Sequence, residues 1–249
     1  MISYKNEEEI KIMIEGGKRL SQVVKELLTE IRIGISTQEI DSKAERLIKK
    51  YGGESSFKKV KDYHWSTCLP INEQIVHTPP STRIIKDGDL LTLDIGFYFQ
   101  GFHTDFATSF IVGEKKKEIE RFLQAGKEAL YKAIDQAKVN NYLGQISQAI
   151  EKTINGYGYF VIKELTGHGI GRELHEDPFI TGFLNDKMTN TLRLKPGLTL
   201  AIEVIYSQGT EKMVFEKGED WSIITKDQSI SGCFEHTIAI TDKRTIVII

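Results

Sequence analysis

Lys86-Asp87-Gly88-Asp89-Leu90-Leu91-Thr92-Leu93-Asp94 and Lys195-Pro196-Gly197-Leu198-Thr199-Leu200-Ala201-Ile202-Glu203 follow one plan: a lysine, any residue, a glycine, then an apolar strand ending on an acid. The offset between them is 109 residues, from 94 to 203, and the same offset carries Gly17-Lys18 onto Gly126-Lys127. That period is far too long for a solenoid, so the chain reads as two copies of one half-domain.

Each half has the order helix, helix, strands. The spacing predicts helices over Glu8–Glu30 and Thr37–Tyr51 in the first half, and over Glu118–Ala137 and Leu143–Tyr157 in the second. Apolar positions recur every three or four residues, as in Ile40, Ala44, Leu47, Ile48 and in Ile146, Ile150, Ile154. Tyr51-Gly52 and Tyr157-Gly158 supply the glycine that stops a helix. The fold class is therefore α+β: one catalytic domain over 1–249, with half-repeats at about 5–113 and 114–249 related by a pseudo-two-fold axis. Strands of both halves share a curved antiparallel sheet covered by helices, and its concave face is where side chains from both halves meet.

Leu90–Phe99 and Phe102–Val112 read as a hairpin turning at Gln100-Gly101. That register sets Gly96 opposite Asp105 and Asp94 opposite Ala107. Asp94 and Asp105 are then diagonal neighbours on one face, with Cβ atoms somewhat under about 7–8 Å apart. Such a pair repels itself unless it holds a cation or shares a proton. The plainer reading is two solvated acids on an exposed face. Glu203 argues against it, because it interrupts the apolar strand Leu198–Ile205, where a lone charge costs several kcal/mol. Glu235 repeats the argument in Cys233–Thr241, and its neighbour His236 should face the other way as a structural histidine. His168 sits in Thr166-Gly167-His168-Gly169-Ile170-Gly171-Arg172, whose glycines permit close approach. Four carboxylates and one imidazole suit two hard or borderline divalent ions better than a structural zinc. Two such ions generate hydroxide at neutral pH and polarise a carbonyl, which is hydrolase chemistry. His77 and His175 remain as imidazoles for substrate or proton handling.

Composition excludes several classes. At 40% hydrophobic and 27% charged the 249 residues are ordinary for a globular chain, and a net charge of -2 gives no reason to expect DNA or RNA. The runs Lys58-Lys59-Val60-Lys61 and Lys115-Lys116-Lys117 lack interleaved aromatics and read as solvated surface. Cys68 and Cys233, with no CxxC spacing, suggest neither disulfides nor a thiolate zinc site. The acidic N-terminus and the lack of an apolar run near the roughly 20 residues of a membrane helix point to a cytoplasmic protein with no membrane segment.

Five motifs, in order, carry a resemblance over essentially the whole length: Lys86 through Asp94, Gly101-Phe102-His103-Thr104-Asp105, Gly167 through Arg172 with His175-Glu176-Asp177-Pro178, Ala201-Ile202-Glu203, and Phe234-Glu235-His236-Thr237. They resemble the type I methionine aminopeptidases of the pita-bread (creatinase/aminopeptidase) metallopeptidase fold. The resemblance implies two divalent ions (Co, Mn, Fe or Zn), with Asp94 on one, His168 and Glu203 on the other, and Asp105 and Glu235 bridging. It implies that Glu203 also moves protons, that His77 and His175 flank the scissile peptide as catalytic and substrate-binding groups, and that Tyr63, Cys68 and Trp221 line the substrate pocket. The activity implied is removal of the N-terminal methionine from nascent proteins or peptides, preferably before a small second residue, by a metal-bridging hydroxide. The partners implied are nascent-chain N-termini and a transient contact with the ribosome, for a monomer. The chain departs from the family where Val204-Ile205 stand for Pro-Met, Thr78 for Gly, and Val60 and Leu174 for aromatic residues of the methionine pocket. These changes leave the ligand set intact and bear on methionine specificity. An X-Pro aminopeptidase or prolidase uses the same ligands but usually carries a further N-terminal domain. A catalytically weak peptide-binding paralogue would be expected to have lost ligands.

Overall fold

A computed structural model describes residues 2–114 and 116–249; Met1 and the Lys115 of the second basic run lie outside the described residues. Four helices form: α1 (Glu7–Glu30), α2 (Thr37–Lys50), α3 (Lys117–Gln136) and α4 (Leu143–Gly156). Asn6 and Glu9 close a capping box on α1, and Ser36 and Glu39 close one on α2. Gly52 and Gly158, just past α2 and α4, take φ of 76° and 84°, the left-handed exit that the two Tyr-Gly pairs anticipated. Lys58 and Lys59 of the first basic run pair with Glu45 and Glu54 at the surface.

The main sheet runs, neighbour to neighbour, Glu54–Ser55, Leu90–Phe99, Phe102–Ile111, Ser231–Ile240, Thr199–Ser207, Thr166–Gly169 and Glu176–Thr181, all antiparallel. The hairpin has the expected register, with Gly96 opposite Asp105 and Asp94 opposite Ala107. Strands of the two halves meet at the seam where Glu235 pairs with Ala107. Thr199–Ser207 extends two residues beyond Ile205 because Tyr206, fully buried, stacks on Phe122 of α3 and donates its hydroxyl to the Phe122 carbonyl at 2.6 Å.

The alternation of each strand sorts its side chains. Leu91, Leu93, Ile95 and Phe97 join Leu20, Val23 and Leu27 of α1 in one core cluster. Ile202, Val204, Tyr206 and Ile238 join Phe122, Ala129 and Ala133 of α3 in another. The intervening positions face the concave side, and a slip of one residue would exchange the faces. The 109-residue repeat also explains Gly17 and Gly126. A Cβ on Gly17 would lie 2.4 Å from the Ile248 carbonyl, and one on Gly126 would lie 2.4 Å from the Phe234 ring. α1 thus meets the C-terminal segment, and α3 the strand Ser231–Ile240, with bare backbone.

The repeat breaks most at the second hairpin turn. Where the first half turns at Gln100-Gly101, the second inserts residues 208–230, whose strands Met213–Phe215 and Ile223–Thr225 form a separate three-stranded sheet with Gln74–Val76.

Candidate active site

One rung of the main sheet carries most of the chemistry. Cys68 pairs with Asp94, Asp94 with Ala107, Ala107 with Glu235, and Glu235 with Glu203. Asp105 lies two residues from Ala107 on the same face, and His168 pairs with Ala201, two residues from Glu203. All five candidate ligands therefore project from the concave face, three on a single rung.

They line one cavity of about 110 Å³, together with Phe57, Val60, Tyr63, Cys68, His77, Leu174, His175 and Trp221. Every site residue expected from the sequence is in this set; Phe57 is an addition, and no pattern in the sequence marked it. A cavity below the roughly 150 Å³ that holds a benzene-sized guest accommodates one compact side chain, not two residues. Its wall is aromatic: Tyr63 meets Phe57 and Trp221 edge to face, with ring centres 6.2 and 5.2 Å apart. The Tyr63 hydroxyl donates to the Thr67 carbonyl at 2.8 Å and lies 3.1 Å from the Cys68 sulfur, which fixes the ring. Trp221 arrives on the insertion, in the link between the two strands that it contributes to the small sheet.

The polar floor demands positive charge. Asp105, His168 and Glu235 are each 4% exposed or less, and each has a ligand atom within 4.8 Å of the others. Two ligands of one ion, each about 2.1 Å from it, lie within about 4.2 Å of each other, so the spacing is close to that of an occupied site. His168 Nδ1 is 2.8 Å from the Gly169 carbonyl, so Nδ1 carries the proton and Nε2 turns its lone pair into the cluster, 3.4 Å from Glu203. Burial lowers the pKa of His168 to about 3, leaving the imidazole neutral, the form that binds metal. Burial raises Asp105 to about 7 against the pull of its 2.9 Å hydrogen bond from the Phe106 N–H. Burial first, then mutual repulsion, pushes Asp94, Glu203 and Glu235 well above the carboxylate range. Glu235 Oε1 is buried with no hydrogen-bond partner among the described residues. A buried orphan oxygen beside three crowded carboxylates and a neutral imidazole fits divalent cations and little else.

The surroundings hold this floor in place. Thr237 accepts the Asp105 N–H and donates to the Asp105 carbonyl, both at 2.8 Å, replacing the ladder where the seam opens. His236 turns away to the helix side, against Phe106 and Tyr131, as its place beside Glu235 anticipated. His77 and His175 are exposed at the cavity mouth, His77 with a left-handed φ of 58°, a strained backbone of the kind found at functional sites. His175 also packs edge-on to His168, ring centres 4.5 Å apart.

Comparison with known proteins agrees with this geometry. Residues 11–242 match the model of metallopeptidase family M24. A curated relative, methionine aminopeptidase 1 of Bacillus subtilis, is 39% identical over 97% of this chain and 96% of its own length. Among solved structures, methionine aminopeptidase from Thermotoga maritima superposes with a TM-score of 0.95 at 33% identity, covering 100% of this chain and 99% of that one. The prolidase from Pyrococcus furiosus shares the fold at a TM-score of 0.79 and 23% identity, but this chain spans only 64% of it. The fold is the pita-bread fold, and among the described residues no helix is long and apolar enough to cross a membrane. With its concave cluster of acids and one histidine, the chain belongs to metallopeptidase family M24, a family that uses divalent metal, and groups there with the methionine aminopeptidases.

Proposed function

We propose that this chain removes the N-terminal methionine from peptides and nascent proteins, preferring a small second residue. The observation that carries the reading is the cavity itself: the apolar side chains Phe57, Tyr63, Leu174 and Trp221 share one small cavity with the five candidate metal-ligand side chains. An exopeptidase needs an apolar recess for the first side chain beside the hydrolytic centre, and this cavity supplies both.

In this reading Asp94, Asp105, His168, Glu203 and Glu235 would together hold two divalent ions. The proximity of Asp105, His168 and Glu235 supports the assignment. When bound, the ions acidify water and polarise the scissile carbonyl. The chain's own residues do the rest. The aromatic wall seats the methionine side chain and fixes the first peptide bond over the acidic floor. His77 and His175, at the mouth, donate hydrogen bonds to the scissile amide and to the oxygen that gains charge. Glu203 carries a proton towards the departing amine. Mn, Fe, Co and Zn all suit this mixed oxygen and imidazole set. A monomer working in the cytoplasm on chains emerging from the ribosome completes the proposal.

The test is a chelated, dialysed sample assayed on Met-Ala-Ser, Leu-Ala-Ser and an X-Pro tripeptide, with Mn, Fe, Co and Zn restored separately. Cleavage of Met-Ala-Ser alone, dependent on metal, is the expected result. Turnover confined to the X-Pro peptide, or insensitive to chelation, would overturn the assignment.

A further inference from the structure

The turn that brings Leu174 and His175 to the cavity is short, and its backbone is tied at Gly171, whose N–H donates to the Glu173 carbonyl at 3.0 Å and whose carbonyl accepts the His103 N–H at 2.7 Å. A second set of ties lies outside the cavity. The extended residues before α1 run across the outside of this loop: the Lys5 N–H donates to the Gly197 carbonyl at 2.7 Å, and a Cβ at Gly171 would lie 2.1 Å from Lys5 Cε. Lys5 Nζ pairs with Glu176 Oε2, and the two side chains are only 1% and 8% exposed. The other carboxylate oxygen of Glu176 accepts the N–H of Arg172 at 2.7 Å and of Glu173 at 3.1 Å. Glu176 thus clamps the two ends of the turn Arg172-Glu173-Leu174-His175 together, and Lys5 supplies the charge that lets that carboxylate stay buried. Neither Lys5 nor Glu176 lines the cavity.

We infer that Lys5 and Glu176 are positioning residues for the reaction: their buried ion pair fixes the turn that aims His175 and Leu174 at the substrate. This rests on the reading of His175 as a substrate-binding group. The neighbouring pair between Arg172 and Glu9 joins the same two segments but has an Arg172 side chain 49% exposed, and screening makes it a minor tie.

The experiment uses the full chain reconstituted with Mn and compares Lys5→Met, Lys5→Arg, Glu176→Gln and the double variant Lys5→Met/Glu176→Gln. Lys5→Met strands a buried carboxylate. Its kcat on Met-Ala-Ser should fall about 10- to 100-fold, the range for a displaced positioning group, with KM within about threefold. Amide exchange at residues 172–175 should quicken at least about tenfold while that of Thr199–Ser207 is unchanged. Lys5→Arg should retain most of the activity. The double variant, with no buried charge and an amide oxygen still facing the two N–H groups, should recover to within about threefold of the parent. Should Lys5→Met fail to fold, Glu176→Gln alone carries the test, with local exchange quickened and kcat lowered at least about threefold. Wild-type kcat in Lys5→Met and in Glu176→Gln, unchanged exchange at 172–175 in both, or exchange quickened throughout the sheet would each overturn the inference. The exchange readout needs no substrate, so a parent enzyme inactive on methionine peptides would refute the proposed function without deciding this one.

Discussion

Replacing Asp105 by Asn should make the metal-free protein more stable at neutral pH, although it removes a proposed metal ligand. Burial carries the Asp105 pKa from its ordinary 3.8 to about 7, so the folded chain holds a proton there that the unfolded chain has released. A carboxyl raised in this way contributes stability that is fully present below about pH 3.8 and lost as pH rises through about 7. At about 1.4 kcal/mol per pH unit the loss amounts to about 4 kcal/mol for this one group, an upper value while its neighbours titrate alongside it. Asn is neutral throughout and its oxygen can still accept the Phe106 N–H, so the variant escapes the loss. With EDTA present, Asp105→Asn should therefore melt close to the wild type at pH 4 and above it at pH 8, by up to roughly 8–16 °C for a chain of this size. With saturating Mn the order should reverse and peptidase activity should nearly vanish. Calorimetry at both pH values, with and without metal, decides it. Metal-free melting curves that keep one separation from pH 4 to pH 8 would refute a crowded, proton-holding cluster.

Other outcomes rest on the same contacts. Gly126→Ala should lower stability by about 1–3 kcal/mol despite alanine's higher helix propensity, because its Cβ meets Phe234 at 2.4 Å and the Tyr206 hydroxyl at 2.6 Å; denaturant titration checks it. Thr237→Ala leaves the buried N–H and carbonyl of Asp105 unpaired and should cost about 1–3 kcal/mol, with a fall in activity that Thr237→Ser largely restores. His175→Ala should lower kcat on Met-Ala-Ser by about 10²–10³ while metal content, measured by elemental analysis, stays the same. Metal affinity should rise with pH from 5 to 8, since the raised carboxylates must release protons to bind, and an affinity flat over that range in calorimetric titration would contradict the pKa pattern.

The parts of this site legible in the sequence are those set by local register. Once Gln100-Gly101 is taken as the turn, the alternation of a strand puts Asp94 and Asp105 on one face, and an acid inside an apolar run, as at Glu203 and Glu235, signals a counter-charge. What stayed hidden depends on long-range placement. Phe57 reaches the cavity from a single 3₁₀ turn, a segment with no periodicity to mark it. The seating of Lys5 under Glu176 joins residues 171 positions apart, and an isolated lysine near the N-terminus looks like any solvated one. The small sheet that carries Trp221 was hidden for another reason: its strands are three residues each, too short for an alternating pattern to emerge.

The duplication is more faithful at the seam than the site built on it. Shifted by the repeat, Thr92 falls on Ala201; Thr92 pairs with Ser109, as Ala201 does with Thr237, so Ser109 and Thr237 are equivalent positions. Their hydroxyls behave alike: Ser109 accepts the Cys233 N–H at 2.9 Å and donates to its carbonyl at 3.0 Å, and Thr237 does the same for Asp105 at 2.8 Å each. By the same pairing Cys233 is the counterpart of Asp105, and Ala107 that of Glu235. The frame is therefore two-fold, while the ligands obey the two-fold only at Asp94 and Glu203. Had all positions kept their acids, two more carboxylates would crowd a floor where burial and mutual repulsion already raise the pKa of four. Small, uncharged Ala107 and Cys233 relieve that repulsion. Ala107, in the middle of the rung between Asp94 and Glu235, packs instead into an apolar cluster with Cys233, Ile75 and Ile205.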